Sequence, residues 1–133
     1  MSLISALDIA SQGMSAERVR VDVASSNLAN AETTRGPDGN PYARLEAVFH
    51  SVDRDDGGVG VEVLGISRDT APPRRVFMPD HPDADASGFV QMPNVNSVTE
   101  IVNLMSAQRG YEANATAFET AKTLVQRALD IIR

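Results

Sequence analysis

The 133-residue sequence predicts an α+β fold, mainly α, in which long N- and C-terminal helices form an antiparallel coiled-coil-like pair with a small β-rich and loop insertion between them. Three observations carry that expectation. All seven prolines and seven of the nine glycines lie between residues 34 and 97, so helix breakers are confined to the middle of the chain. Bulky and small apolar residues recur every seven positions at both ends, the repeat of a helix packed along a seam. In the middle the period falls to two, the period of a half-buried strand. The expected division is residues 1–34 as the N-terminal helix, 35–96 as the β-rich middle and 97–133 as the C-terminal helix.

In the first segment Leu7, Met14, Val21 and Leu28 form one seven-residue row, and Leu3, Ala10, Glu17, Ala24 and Ala31 form its companion. The segment ends softly in SSNLANAETT, rich in residues that prefer caps and turns to helix interiors, and the turn string RGPDGNP follows. Residues 42–52 alternate, with Ala43, Leu45, Ala47 and Phe49 on one face. Val59, Val61 and Val63 alternate in turn, followed by a glycine kink at Gly65. Asp55 to Gly58 connect these two strands, and Arg75 to Met78 form a third, shorter one. The last segment is expected to open with a capping box, Ser97 with Glu100. It then carries Leu104, Tyr111, Phe118, Val125 and Ile132 in a bulky row, with Ala107, Asn114, Ala121 and Ala128 in the small one.

Such rows suit close helix packing: 17 alanines bury little area each but let backbones approach. Apolar residues also lie off the seam, among them Ile4, Ile9, Val19 and Val23 at one end and Ile101, Met105, Leu124, Leu129 and Ile131 at the other. A second apolar face calls for a second neighbour, so assembly is expected. Glu17 and Asn114 interrupt the seam, as polar residues that set register and partner do.

Composition narrows the function. The net charge of −6, with Lys122 the single lysine and 11 scattered arginines, argues against nucleic-acid binding or a polybasic membrane anchor. That charge is concentrated between residues 32 and 96. The absence of cysteine excludes thiol nucleophiles, disulfides and thiolate metal sites. MSLISALDIASQG lacks the basic start and unbroken apolar run of a cleaved signal peptide, and no run reaches transmembrane length. No phosphate-binding glycine loop, G-x-S-x-G or H-E-x-x-H string appears, and His50 and His81 have no ligand spacing, so no catalytic residue, metal or cofactor is assigned. The strongest competing reading is a small calcium-binding domain. Asp83, Asp85, Ser87 and Gly88 fit the first half of an EF-hand loop, yet Asn94 stands where the bidentate glutamate belongs.

Two blocks then point to a family. GMSAERVRVDVASSNLANAETT at 13–34, and HPDADASGFVQMPNVNSVTEIVNLMSAQRGYEANATAFETAKTLVQRALDI at 81–131, closely resemble the FlgC family of bacterial flagellar basal-body rod proteins, part of the wider rod and hook axial proteins. SNLANA is the motif shared across the axial proteins. HPDAD, PNVN and RGYEAN are more specific, and a different short rod protein of the same family is the near alternative. The resemblance implies a non-catalytic structural subunit of the proximal rod that polymerises helically and transmits motor torque in cell motility. It further implies a periplasm-spanning basal-body location, reached by type III export without a cleaved signal. The implied partners are other rod proteins, copies of the same chain and the export apparatus, with no nucleic acid, no small-molecule substrate and no membrane embedding. The residues expected to carry subunit packing are Leu7, Met14, Val21, Asn27, Leu28, Asn30, Asn94, Asn96, Leu104, Arg109, Tyr111, Glu112, Asn114, Phe118 and Val125. Gly110, in the middle of the last segment, departs from what a helix prefers and is expected to weaken it.

Overall fold

A computed structural model describes residues 2–132, with side chains through Ile131, so the side chain of Ile132 that ends the expected bulky row lies outside the described residues. Six elements follow in order: α1 (Leu3–Ala29), β1 (Leu45–Asp53), β2 (Val59–Arg68), β3 (Arg74–Phe77), β4 (Phe89–Met92) and α2 (Ser97–Ile132). The expected architecture of two long helices packed together, with a small β insertion between them in the chain, is what the structure contains.

Helix α1 has 27 residues and α2 has 36, or about 40 Å and 54 Å of helix. Three contacts fix how they lie. Gly13 of α1 faces Asn114, Glu17 faces Gly110, and Asn27 faces Glu100. Numbers rise along one helix as they fall along the other, so the pair is antiparallel, and in every pair the two numbers add to the same total. In that register Leu3 falls opposite Leu124, and the last eight residues of α2 run about 12 Å beyond the first turn of α1.

The small rows occupy the centre of the seam. Ala10, Ala24, Ala31, Ala107 and Ala121 are buried, whereas Leu7, Met14, Val21, Leu28, Leu104, Phe118 and Val125 are half-buried along its flanks and Tyr111 is exposed. Alanine and glycine at the centre let the backbones come close, and the bulky residues stand beside the contact rather than within it.

Both helix starts differ from expectation. Ser2 caps α1: its hydroxyl accepts from Ser5 N–H at 3.1 Å, and the Ser5 hydroxyl accepts from Ser2 N–H at 2.8 Å, a reciprocal box that the sequence reading did not assign. At α2 the expected Ser97 and Glu100 box is absent. Asn96 caps instead, its Oδ1 accepting from Val98 N–H at 3.0 Å and Thr99 N–H at 3.1 Å. Glu100 is thereby free to point inward.

The first hairpin, β1–β2, is antiparallel and lies along α1. It begins beside Asn27 and turns beside Asp8, where Arg54 Nη2 reaches the carboxylate at 2.9 Å. Gly58 and Gly60 face Ile9 and Gln12, so the absent side chains are what allow the helix to sit down on the sheet. The register shifts between Val48 and Phe49, leaving Leu64 as the extra residue of a bulge next to Gly65, the site of the expected kink. The second hairpin, β3–β4, begins one residue earlier than expected for β3, and its partner strand β4 had not been assigned. Its strands stand off from both helix backbones, and Arg74 of β3 lines a shared cavity with Ser97 and Val98 at the start of α2.

Candidate functional site

The most concentrated chemistry is a buried polar hub where the end of α1, the start of β1 and the start of α2 meet. Asn27 is fully buried and Glu100 is 1% exposed. Every polar atom of the Asn27 side chain is used. Its Nδ2 donates to Leu45 C=O at 2.9 Å and to Glu100 Oε2 at 3.1 Å, while its Oδ1 accepts from Leu45 N–H at 2.8 Å and from Tyr42 O–H at 2.9 Å. A side-chain amide thus mimics a neighbouring strand and terminates β1 against the helix. Arg44 Nε donates to Glu100 Oε1 at 2.7 Å, and the same guanidinium also pairs with Glu46. Burial opposes the charge on Arg44, but its hydrogen bonds to Glu100 and Glu46 outweigh that and raise its pKa above the ordinary value. Asn94 Oδ1 completes the hub by accepting from Arg44 N–H at 3.1 Å.

The network joins three elements through side-chain hydrogen bonds, with Asn94 Nδ2 buried and left without a partner. It also divides the expected packing residues into two sets. Asn27 and Asn94 act inside the chain. So do Asn30, whose Nδ2 donates to Ser26 C=O at 2.9 Å at the end of α1, and Asn96, which caps α2. Asn114 fills the space left by Gly13. Arg109, Tyr111 and Glu112 are exposed. The network's other members, Tyr42, Arg44 and Glu100, were not among the expected residues. The only sequence signal for them is a run of polar residues flanking apolar ones, which does not distinguish a hub from a wet edge.

The exposed set has an order of its own. Val98, Ile101, Val102 and Met105 are 72%, 44%, 59% and 48% exposed, and their spacing of three and four residues places them on one face of α2. Arg109 and Glu112 continue that face as its charged end. Beside it a groove of about 470 Å³ between the helices is lined by Arg18, Val21, Gln108, Tyr111 and Glu112.

The acidic string at 81–94 supplies most of the turn of the second hairpin and, from Phe89, its strand β4. Asp85 Oδ1 accepts from Ser87 N–H at 2.8 Å and Phe89 N–H at 3.0 Å, and its other oxygen faces Arg75. Asp83 accepts from the Thr34 hydroxyl at 2.7 Å and pairs with Arg35, tying the turn to the segment after α1. The two carboxylates are therefore committed to separate partners. Hydrogen bonds, from Thr34 to Asp83 and from the Phe89 backbone to Asp85, hold both carboxyl groups below the ordinary 3.8. A depressed folded pKa adds stability above the unfolded value, and that contribution is lost as pH falls through the folded one. Acidification below about 3.8 is expected to loosen this turn before the helix pair, seen as lower amide protection factors at Ser87 and Phe89. Retained protection there at pH 2 would contradict it.

No helix among the described residues is long and apolar enough to cross a membrane. Comparison with known proteins matches two stretches of the chain, one spanning most of α1 and the other nearly all of α2. Residues 7–37 match the family described as flagella basal body rod protein, and residues 86–131 match the flagellar basal body rod FlgEFG protein C-terminal family. The chain is 43% identical over 133 residues to the flagellar basal-body rod protein FlgC of Salmonella typhimurium, covering 98% of each. It is 39% identical over 151 residues to that of Borreliella burgdorferi, covering 100% of this chain and 99% of the relative. The identity to that of Bacillus subtilis is 38% over 148 residues, covering 98% of this chain and 99% of the relative.

Proposed function

This chain belongs to the FlgC family of flagellar basal-body rod proteins, and from that premise we propose how its helix pair serves the rod. The protein is a structural subunit of the basal-body rod and assembles with other rod components. In the proximal rod, subunits stack helically and pass motor torque as shear through many simultaneous side-chain contacts, without a reactive site. The observation that carries this reading is the exposed apolar row Val98, Ile101, Val102 and Met105 on the longest helix, too contiguous to be scattered surface residues. Open helical growth requires two different faces per subunit. The α2 row is one of them, and the groove bearing Val21 and Tyr111 is the other. Arg109, Glu112, Leu7, Met14, Leu104, Phe118 and Val125 flank these faces and contribute to packing, while Asn27, Leu28, Asn30, Asn94, Asn96 and Asn114 keep the faces in place.

The acidic middle faces outward, and the chain reaches the periplasm by type III export without a cleaved signal. The chain divides functionally into rod-core helices at 1–34 and 97–133 and a middle segment at 35–96. Deletion followed by complementation with a C-terminally tagged chain tests the reading. Swimming is expected to be lost and restored, with the tagged chain at its uncleaved mass in detergent-washed basal bodies. A deletion strain that swims, or a chain confined to the cytosolic fraction, would overturn it.

A further inference from the structure

The alanine rows alone do not fix the register of the helix pair. Because Ala10, Ala24 and Ala31 lie on one seven-residue row, as do Ala107, Ala121 and Ala128, a slip of seven would again set small residues largely against small residues. What such a slip would destroy is polar. A Cβ built on Gly13 would lie 2.8 Å from the Asn114 amide, and one built on Gly110 would lie 2.6 Å from the Glu17 carboxylate. Each helix therefore presents one glycine and, four residues on, one long polar side chain, and the two sets interlock reciprocally across the antiparallel pair.

We propose that Glu17 in the space of Gly110, and Asn114 in the space of Gly13, are the register-determining contacts that hold the two rod helices as one rigid unit under axial shear. The Asn27 to Glu100 hydrogen bond lies in the same register and closes the far end. Glu17 is held for this role by Arg20, one turn on, at 2.7 Å. Gly110 is thus no lapse in helix preference: any side chain there meets Glu17. A slipped pair would put Glu17 against Asn103 or Ala117, neither of which leaves room for it, and would uncover both glycines.

The absence of cysteine gives a clean background for cross-linking the full chain. In register Ala6 falls opposite Ala121, and after a slip of seven it falls opposite Ala128. With otherwise native sequence, the pair Ala6→Cys and Ala121→Cys is expected to close and the pair Ala6→Cys and Ala128→Cys to stay open. Adding Glu17→Ala and Asn114→Ala is expected to raise closure of the second pair clearly above its native level, although the Asn27 to Glu100 hydrogen bond still favours the native register. If it stays open while circular dichroism shows intact helix, or closes in the native background, the proposal fails. Should the double variant not fold, melting temperatures decide. Gly110→Ala is expected to lower the melting temperature of the native chain but to raise that of the Glu17→Ala chain, because the clash is gone and only the helix preference remains. The same sign in both backgrounds would overturn it.

Discussion

Glu100→Ala is expected to lower the unfolding free energy by about 3 kcal/mol. Removing one partner from a buried ion pair leaves the other uncompensated, and here the loss falls on Arg44 and on Asn27 Nδ2 together. The cost sits at the lower end of the usual range because Arg44 keeps Glu46 and is partly open to water. Two further variants separate the pair from its geometry. Glu100→Gln keeps the shape and one acceptor but turns an N–H₂ toward a donor, so about 1–2 kcal/mol is expected. Arg44→Met with Glu100→Leu removes both charges, and is expected to cost less than Glu100→Ala alone. Urea titration followed by far-ultraviolet circular dichroism measures all three. A Glu100→Ala loss below 1 kcal/mol would mean that the hub does not tie the hairpin to the helices.

The elements of the fold were legible in the sequence where one period ran unbroken. The seven-residue rows and the confinement of proline and glycine to the middle locate α1 and α2, and strict alternation locates β1 and β2. Strand β4 has only four residues and no alternation long enough to count, so it emerged only through its pairing with β3. The capping of α2 shows a different limit. Asn96 and Ser97 are adjacent and both are good caps, and local preference cannot choose between them. The choice is made by Glu100, which gains more from Arg44 and Asn27 than from its own helix end. The bulky rows misled in one respect. Periodicity places them near the seam but cannot tell the centre from the flank, and with glycine and alanine available the centre goes to the smaller residues. Gly110 read as a defect because the residue that needs its space, Glu17, is remote in sequence and close only in the fold.

Val102→Glu is expected to leave the chain folded and to remove it from the rod. Val102 is 59% exposed in the middle of the α2 row, so the added carboxylate meets water in the free chain and stability should move by no more than about 0.5 kcal/mol. In a packed array the same carboxylate would be buried against a neighbour without a counter-ion, at a cost of several kcal/mol for each subunit. A penalty of only about 1.4 kcal/mol already lowers incorporation tenfold, and every copy in the stack carries it. Swimming should therefore be abolished, and the variant should be depleted at least tenfold from isolated basal bodies while melting at the native temperature. Val102→Leu keeps the face apolar and should swim normally. Met105→Glu, one turn along on the same face, should repeat the loss, whereas the charge-conserving Asp55→Glu in the hairpin turn should change nothing. If Val102→Glu swims, the α2 row is not buried in the rod, and the contacts that carry torque must lie on the groove beside Tyr111.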